Sequence, residues 1–245
     1  SDHMWEIYQQ AFGELGVMDL NHLAIESRTD ANSERATSML SGADGIFMTG
    51  GDQKRLLALI GGTAVDRALH VAFKERNACI GGTSAGASAM SGHMLARGEA
   101  VLQPEKGAVS MAAGLGLVQH VLIDQHFSER QRLGRLLTAV AQNPYLQGVG
   151  IDEDTALVIE RGVGIEILGE GAVTVIDGRH MRSNLALIAN RESPEMIDVR
   201  LHLLPAGSRY TLAPEGAAEE GGGSEALPSS MLDFLRNVTK RNPLS

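Results

Sequence analysis

The 245-residue chain has one cysteine, Cys79, so it closes no internal disulfide and builds no cysteine-based metal site. Cations are the scarcer charge: 21 Lys and Arg against 30 Asp and Glu give a formal net charge of −9. That balance argues against a nucleic-acid partner, because phosphate binding depends on clustered Lys and Arg. It is compatible with a cationic or zwitterionic substrate. No run of about 18 apolar residues is present to span a bilayer, and the N-terminus lacks a signal-peptide pattern. The expectations are therefore no membrane partner and a cytoplasmic location. No internal repeat appears, and no stretch in the middle reads as a linker, so residues 1–245 are expected to form a single α/β domain. With 43% hydrophobic and 21% charged residues, the composition is that of a globular protein able to bury a sizeable core. No metal or cofactor is expected.

Glycine is abundant, at 29 residues, and the informative ones surround Ser84. Gly82-Thr83-Ser84-Ala85-Gly86 spells G-x-S-x-G. A short apolar run ends at Ile80 and small residues suited to helix packing follow, so the serine would sit on a sharp strand-to-helix turn, a nucleophile elbow. Glycines two before and two after it let neighbouring elements approach without Cβ clashes. The following helix would aim its N–H groups and positive end at an oxyanion formed beside Ser84.

Helical spacing of Trp5, Ile7, Tyr8, Phe12 and Leu15, with Gly16 after them, predicts a helix over 5–15. Residues 22–26 read as a short strand, 30–40 as a helix, and 44–49 as a strand running into Gly50-Gly51-Asp52-Gln53, a turn whose glycines leave backbone N–H groups exposed. Residues 56–60 and 63–76 read as helical and 77–81 as the strand before the elbow. The stretch 98–114 reads as a loop over the site. An apolar run over 116–123 ends in Asp124-Gln125-His126-Phe127, and Ser128 is placed to cap a helix through Ala141. Another strand, 147–151, ends in Asp152-Glu153-Asp154. Alternating helices and short apolar strands predict a mostly parallel sheet covered by helices on both faces, with ligands bound at the carboxyl ends of the strands. Residues 156–159, 163–168 and 172–176, separated by Gly-rich turns, predict an antiparallel β meander. A last strand over 196–204, a flexible loop over 212–228 and a terminal helix over 231–238 complete the expectation.

A serine hydroxyl is nearly unionised at neutral pH and needs a positioned base, which itself needs an orienting group. His126 is the first candidate because it closes an apolar strand at the edge where Ser84 should emerge. His93 is second, on the elbow helix and pointing away. Glu153 closes the next strand, and Asp152 or Asp154 could equally orient the histidine on spacing alone. The order Ser, His, acid excludes the α/β-hydrolases, in which the acid precedes the histidine. Oxyanion donors are expected from the backbone N–H of Ala85 and one from Gly50-Gly51-Asp52, here assigned to Gly51. Arg130, Arg132 and Arg135 cluster after His126 and suit bidentate carboxylate binding, with a solvated basic face as the alternative.

These four motifs, Gly50 to Gln53, Gly82 to Met90, Asp124 to Phe127 with Arg130, Arg132, Leu133 and Arg135, and Gly150 to Ala156, together resemble the cyanophycinase family. They occur in the family's order, and the resemblance runs from about Trp5 to Leu204. It implies a serine exopeptidase of the clan that includes aspartyl dipeptidase, with a class I glutamine amidotransferase-like, flavodoxin-like fold. It implies Ser84 as nucleophile, His126 as base and Glu153 as its orienter, with Gln53, Asp124, Gln125, Arg130, Arg132 and Arg135 in the substrate pocket. The implied substrate is cyanophycin, a poly-aspartate backbone bearing arginine on each side-chain carboxylate, cut to β-aspartyl-arginine; the implied assembly is a homodimer. An aspartyl dipeptidase for small aspartyl peptides and a non-catalytic peptide-binding relative are the alternatives. The family opens with a strand carrying a Gly-rich turn, then another helix and strand, ahead of the segment matching residues 5–15. The expectation is that such an N-terminal part is missing here.

Overall fold

The computed structural model describes residues 2–98, 101–212 and 227–240; the expected flexible loop 212–228 lies, except for its ends, outside them. The chain divides into two compact units, one of Ser1–Ile46 with Ala58–Ile80 and the other of Phe47–Leu57 with Gly81–Ser245.

The elements of the first stretch are α1 (Asp2–Glu14), a 3-10 turn (Asp30–Asn32), α2 (Glu34–Gly42), β1 (Gly45–Met48), α3 (Gln53–Ile60), α4 (Ala64–Lys74) and β2 (Cys79–Gly82). The predicted C-cap of α1 is realised: Gly16 has φ +85°, its N–H donates to the Gly13 carbonyl, and the Val17 N–H donates to the Phe12 carbonyl. That pair of bonds closes the helix with a residue in the left-handed region, where glycine carries no Cβ penalty. Thr63 and Ser33 cap α4 and α2 with their hydroxyls. The strand expected over 22–26 does not form. These residues join no ladder among the described residues, and a strand exists only through its partner; His22 instead stacks on Trp5 at 5.0 Å.

The second unit is built from α5 (Ala85–Ala89), β3 (His93–Gly98), β4 (Val109–Ala113), β5 (Val121–Gln125), α6 (Leu133–Gln142), β6 (Gln147–Ile151), β7 (Thr155–Glu160), β8 (Gly164–Gly169), β9 (Ala172–Asp177), β10 (Arg182–Ser183), β11 (Met196–Ile197), β12 (Arg200–Pro205), β13 (Arg209–Thr211) and α7 (Ser229–Thr239). Its central sheet has the order β12-β9-β6-β5. Only β5 and β6 run parallel in it; β9 and β12 are antiparallel to their neighbours. The architecture is thus mixed α/β with several sheets. The expected meander is realised only as the β7–β8 hairpin, because β9 leaves it to lie between β6 and β12. Burial explains the choice. In β7 burial alternates, as one wet face requires, whereas β9 is buried on both faces from Val173 onward and needs cover on both sides.

Core residues sort by strand parity. Val121 and Ile123 of β5 with Val173 and Val175 of β9 pack against Met231, Phe234 and Leu235 of α7 and against Ile165 and Ile167 of β8. Leu122 and Ile176, on the opposite face, pack against Leu136, Ala139 and Val140 of α6. The sheet is therefore covered on both faces. A Cβ at Gly148 would come within 2.9 Å of Leu136 and Val140, so the bare backbone of β6 sets how closely α6 lies on it. Because β5 and β6 are parallel and in register, with Gln125 opposite Ile151, the residues that follow each strand emerge at the same sheet edge. Those are His126 and Asp152-Glu153.

Candidate active site

Ser84 stands between β2 and α5 with φ +51° and ψ −117°. A non-glycine residue there is strained by about 1–3 kcal/mol and persists only where its surroundings over-determine it. The flanking glycines supply that determination. A Cβ on Gly82 would lie 2.6 Å from the Gly86 carbonyl carbon, and one on Gly86 would overlap the Met48 carbonyl oxygen. Both contacts are with backbone, which cannot swing aside. Gly50 comes close from the neighbouring turn, where a Cβ would sit 3.3 Å from Ser84 Cβ. The Thr83 N–H donates to the Met48 carbonyl at 3.0 Å.

His126 follows β5 and also has positive φ, +51°. Its Nε2 lies 3.2 Å from Ser84 Oγ and its Nδ1 2.6 Å from Glu153 Oε1. With Nδ1 donating to the carboxylate, Nε2 is left to accept the serine O–H. Of the three acids left open by spacing, Glu153 therefore meets the imidazole. Asp152 instead ties the two loops together: one carboxylate oxygen accepts from the Ser128 N–H at 3.1 Å and hydroxyl at 2.5 Å, the other from the Ala172 N–H at 3.0 Å. The Glu129 carboxylate accepts the Glu153 N–H at 3.2 Å. Ser128 and Glu129, expected to open a helix, are spent on this tie, and α6 begins five residues later at Leu133 with Arg132 at its N-cap. Phe127 anchors the same loop from below; it is buried, and its ring occupies the space a side chain at Gly150 would need. His93 is not on the elbow helix but opens β3, with its ring edge-on to Tyr145.

In front of Ser84 lies a cleft of about 320 Å³ lined by Gly51, Gln53, Ser84, Gln125, His126, the segment 95–98 and Arg130, Arg132 and Arg135. Its floor is an ion cluster. Arg135 donates from Nε to Asp124 Oδ2 at 2.7 Å and from Nη2 to Oδ1, and its Nη1 donates to the Gly98 carbonyl at 2.9 Å. Arg132 Nη1 lies 3.3 Å from Asp124 Oδ1 and donates to the Gln125 carbonyl, while its Nε is buried with no hydrogen-bond partner among the described residues. Burial pulls the Arg132 guanidinium below its usual pKa; Asp124 opposes this, and Arg135 and Arg130 add to it. Asp124 was expected in the substrate pocket. It is instead 0% exposed beneath the cleft with its carboxylate held by two arginines, so it acts on the cleft through them.

Three participants escaped the sequence reading. Ser88 Oγ lies 2.9 Å from both Gln125 Oε1 and the Ile123 carbonyl, in a run of small residues that reads only as helix packing. Asp152 was seen as a rival for the histidine rather than as a tie. Arg97 lines the cleft from β3, whose partner β4 lies in the stretch 98–114 expected to be loop, and a lone arginine in Met94-Leu95-Ala96-Arg97-Gly98 carries no motif.

A serine held in a strained elbow, an imidazole within hydrogen-bond reach and a carboxylate behind it are the parts of a nucleophilic hydrolase. Comparison with known proteins points the same way. Residues 1–167 match the family model described as peptidase family S51. The chain is 38% identical over 204 residues to a cyanophycinase of Geminocystis herdmanii, covering 83% of this chain and 75% of that protein. It is 39% identical over 212 residues to a cyanophycinase of Thermosynechococcus vestitus, 86% of this chain but 66% of that one. A cyanophycinase of Trichormus variabilis is 38% identical over 84% of this chain and 69% of its own. Among solved structures, a peptidase from an acI-B1 Actinobacterium superposes with a TM-score of 0.60 at 19% identity, covering 86% of this chain and 78% of that one; this likeness bears on the fold. The chain belongs to peptidase family S51.

Proposed function

We propose that this chain is a serine-type peptidase that hydrolyses cyanophycin to β-aspartyl-arginine, on a scaffold like that of the class I glutamine amidotransferases. The observation that carries the reading is the continuous relay Ser84 Oγ, His126 Nε2, His126 Nδ1, Glu153 Oε1, at 3.2 and 2.6 Å. Ser84 attacks the carbonyl carbon of the scissile amide while His126 takes its proton. Glu153 holds the tautomer in which Nε2 accepts, and stabilises the imidazolium that forms. The tetrahedral oxyanion is met by the N–H groups of Gly51 and Ala85. His126 returns the proton to the leaving amine, an acyl-enzyme remains on Ser84, and water activated by the same imidazole releases it. Gln53, Gln125, Arg130 and Arg132 bind the substrate; Arg135 and Asp124 act beneath them.

Substrate identity is supported by the cyanophycinase relatives and by the cationic cleft, since each substrate unit carries a free carboxylate on its arginine. The non-catalytic alternative is disfavoured by the Ser84–His126 distance, which already lies at hydrogen-bond reach. The experiment is incubation with purified cyanophycin of this chain and of Ser84→Ala, with dipeptide release followed by chromatography. Release by the parent and none by the variant is expected; equal release by both would refute the assignment. Turnover of a small Asp-X peptide without polymer degradation would favour the aspartyl dipeptidase reading instead.

A further inference from the structure

Four consecutive residues, Leu95, Ala96, Arg97 and Gly98, line the cleft. A regular strand cannot do this, because successive side chains point to opposite faces. The register explains it: Leu95 pairs with Met111 and Arg97 with Ser110, so Ala96 is an extra residue in a bulge. Bulges re-aim the side chains around them and concentrate next to active sites. This one is pinned at both ends by residues of the cleft itself. Gln53 Nε2 donates to the Leu95 carbonyl at 2.8 Å, and Arg135 Nη1 donates to the Gly98 carbonyl at 2.9 Å.

The charges along the cleft are unbalanced. Arg132 and Arg135 both serve Asp124, whereas Arg97 and Arg130 are exposed and form no ion pair among the described residues. Among the described residues no Asp or Glu lines the cleft, since Asp124 lies below it and Glu153 faces His126. The pinned bulge fixes the backbone of Arg97 beside the nucleophile, and a guanidinium with no partner among the described residues is suited to receive a carboxylate, since its donors match the two oxygens in geometry and charge.

We propose that Arg97 is a specificity-determining residue of this cleft, binding a substrate carboxylate on the β3 side of Ser84 as a second anion site beside Arg130 and Arg132. The proposal rests on the hydrolase reading of the site and deepens it by naming a residue, outside the motif-bearing turns, that receives a substrate carboxylate. The substrate's own cation finds no acid among the described cleft residues, so anion recognition carries the selectivity.

The test uses two activated esters that differ in one charge, 4-nitrophenyl acetate and the mono-4-nitrophenyl ester of succinic acid, with the full chain, Arg97→Gln and Arg97→Lys. The parent is expected to prefer the carboxylate-bearing ester in kcat/KM. Arg97→Gln should raise KM for that ester by about tenfold or more, the scale of one lost charge-assisted bond, with kcat within about twofold and the acetate ester unaffected; Arg97→Lys should recover part of the loss. No preference in the parent, an unchanged ester ratio in Arg97→Gln, or equal losses on both esters would overturn the proposal. Should neither ester turn over, calorimetric binding of succinate decides: loss in Arg97→Gln supports the proposal and unchanged binding refutes it. Failure of the substrate reading shows separately, as inactivity of the parent on cyanophycin.

Discussion

Two buried aspartates in this molecule are each held by arginine, and they differ in what is left over. Below the cleft, Asp124 faces two guanidinium groups, and one of them keeps a buried Nε unpaired among the described residues. Below α7, Asp177 is gripped bidentately by Arg179, accepts a further hydrogen bond from Gln147 Nε2 at 3.2 Å, and shares its arginine with Asp233 at 3.1 Å. Gln147 in turn donates to the Ser230 carbonyl and accepts from Asn237, so the network fastens α7 to the central sheet. Among the described residues, one cluster has a surplus of positive charge and an unused donor; in the other, Arg179 and Arg236 balance Asp177 and Asp233, and the buried donors are spent. Buried charge costs several kcal/mol per ion unless it is paired. A fold can carry the first arrangement at a site where a ligand supplies the missing anion, and the second serves as a fixed anchor.

The sharpest break of that comparison is Asp124→Ala. It strands two largely buried guanidinium groups, and removing one partner from such a cluster costs about 3–5 kcal/mol. Urea unfolding should show a loss of that size together with loss of peptidase activity. Next is Glu153→Gln, which leaves the packing alone. A neutral amide can still accept from Nδ1–H but gives the imidazolium less stabilisation, so kcat should fall about 10²-fold or more while the unfolding midpoint stays within about 0.5 kcal/mol of the parent. A variant that retained full kcat would remove Glu153 from the relay.

The motif-bearing turns were legible in the sequence because each needs particular residue types: glycine where a Cβ meets backbone, at Gly82 and Gly86, and a histidine and an acid at the ends of two apolar strands. The parallel pairing of β5 and β6 that brings His126 to Glu153 follows from that same pattern. What the sequence hid were partners chosen by long-range register. A β-branched run such as Val173-Thr174-Val175-Ile176 declares a strand but not which strands lie beside it, so β9 was read into a meander. The site's tie was hidden too, since Ser128 and Asp152 are 24 residues apart and each has a commoner local role, as helix cap and as solvated acid. The bulge at Ala96 leaves no mark in composition, and with it went Arg97.

On the anchor side, Asp177→Asn should cost about 1–3 kcal/mol, less than Asp124→Ala, because Arg179 is partly exposed and keeps Asp233. Activity per folded molecule should be unchanged, as measured by active-site titration alongside urea unfolding; a fall in kcat would show that the anchor communicates with the cleft. Burial opposes ionisation of Asp177, but hydrogen bonds from the Arg179 side chain and backbone, the charge of Arg179 and the bond from Gln147 together hold its carboxyl below the usual value. A depressed carboxyl stabilises the fold above its unfolded pKa and loses that contribution as pH falls through the folded value. Acid unfolding of the parent should therefore steepen below about pH 4, and Asp177→Asn should remove that part of the slope.

The smallest effect concerns His202, whose Nε2 lies 2.9 Å from Ser230 Oγ on α7. Burial lowers its pKa, Asp177 opposes this, and Arg200 adds to the depression. The unfolded chain then binds a proton at this imidazole that the folded chain refuses. Stability contributed by the neutral ring is complete above about pH 6.5 and declines as pH falls toward the folded value. Thermal midpoints taken from pH 7.5 downward should drop more steeply for the parent than for His202→Gln, which keeps a hydrogen-bonding group for Ser230 but cannot titrate. The same scan on Arg132→Met should leave this slope intact, because Arg132 belongs to the other cluster. A slope that changed in both variants would mean that the two clusters are coupled, and the contrast between receptor and anchor would fail.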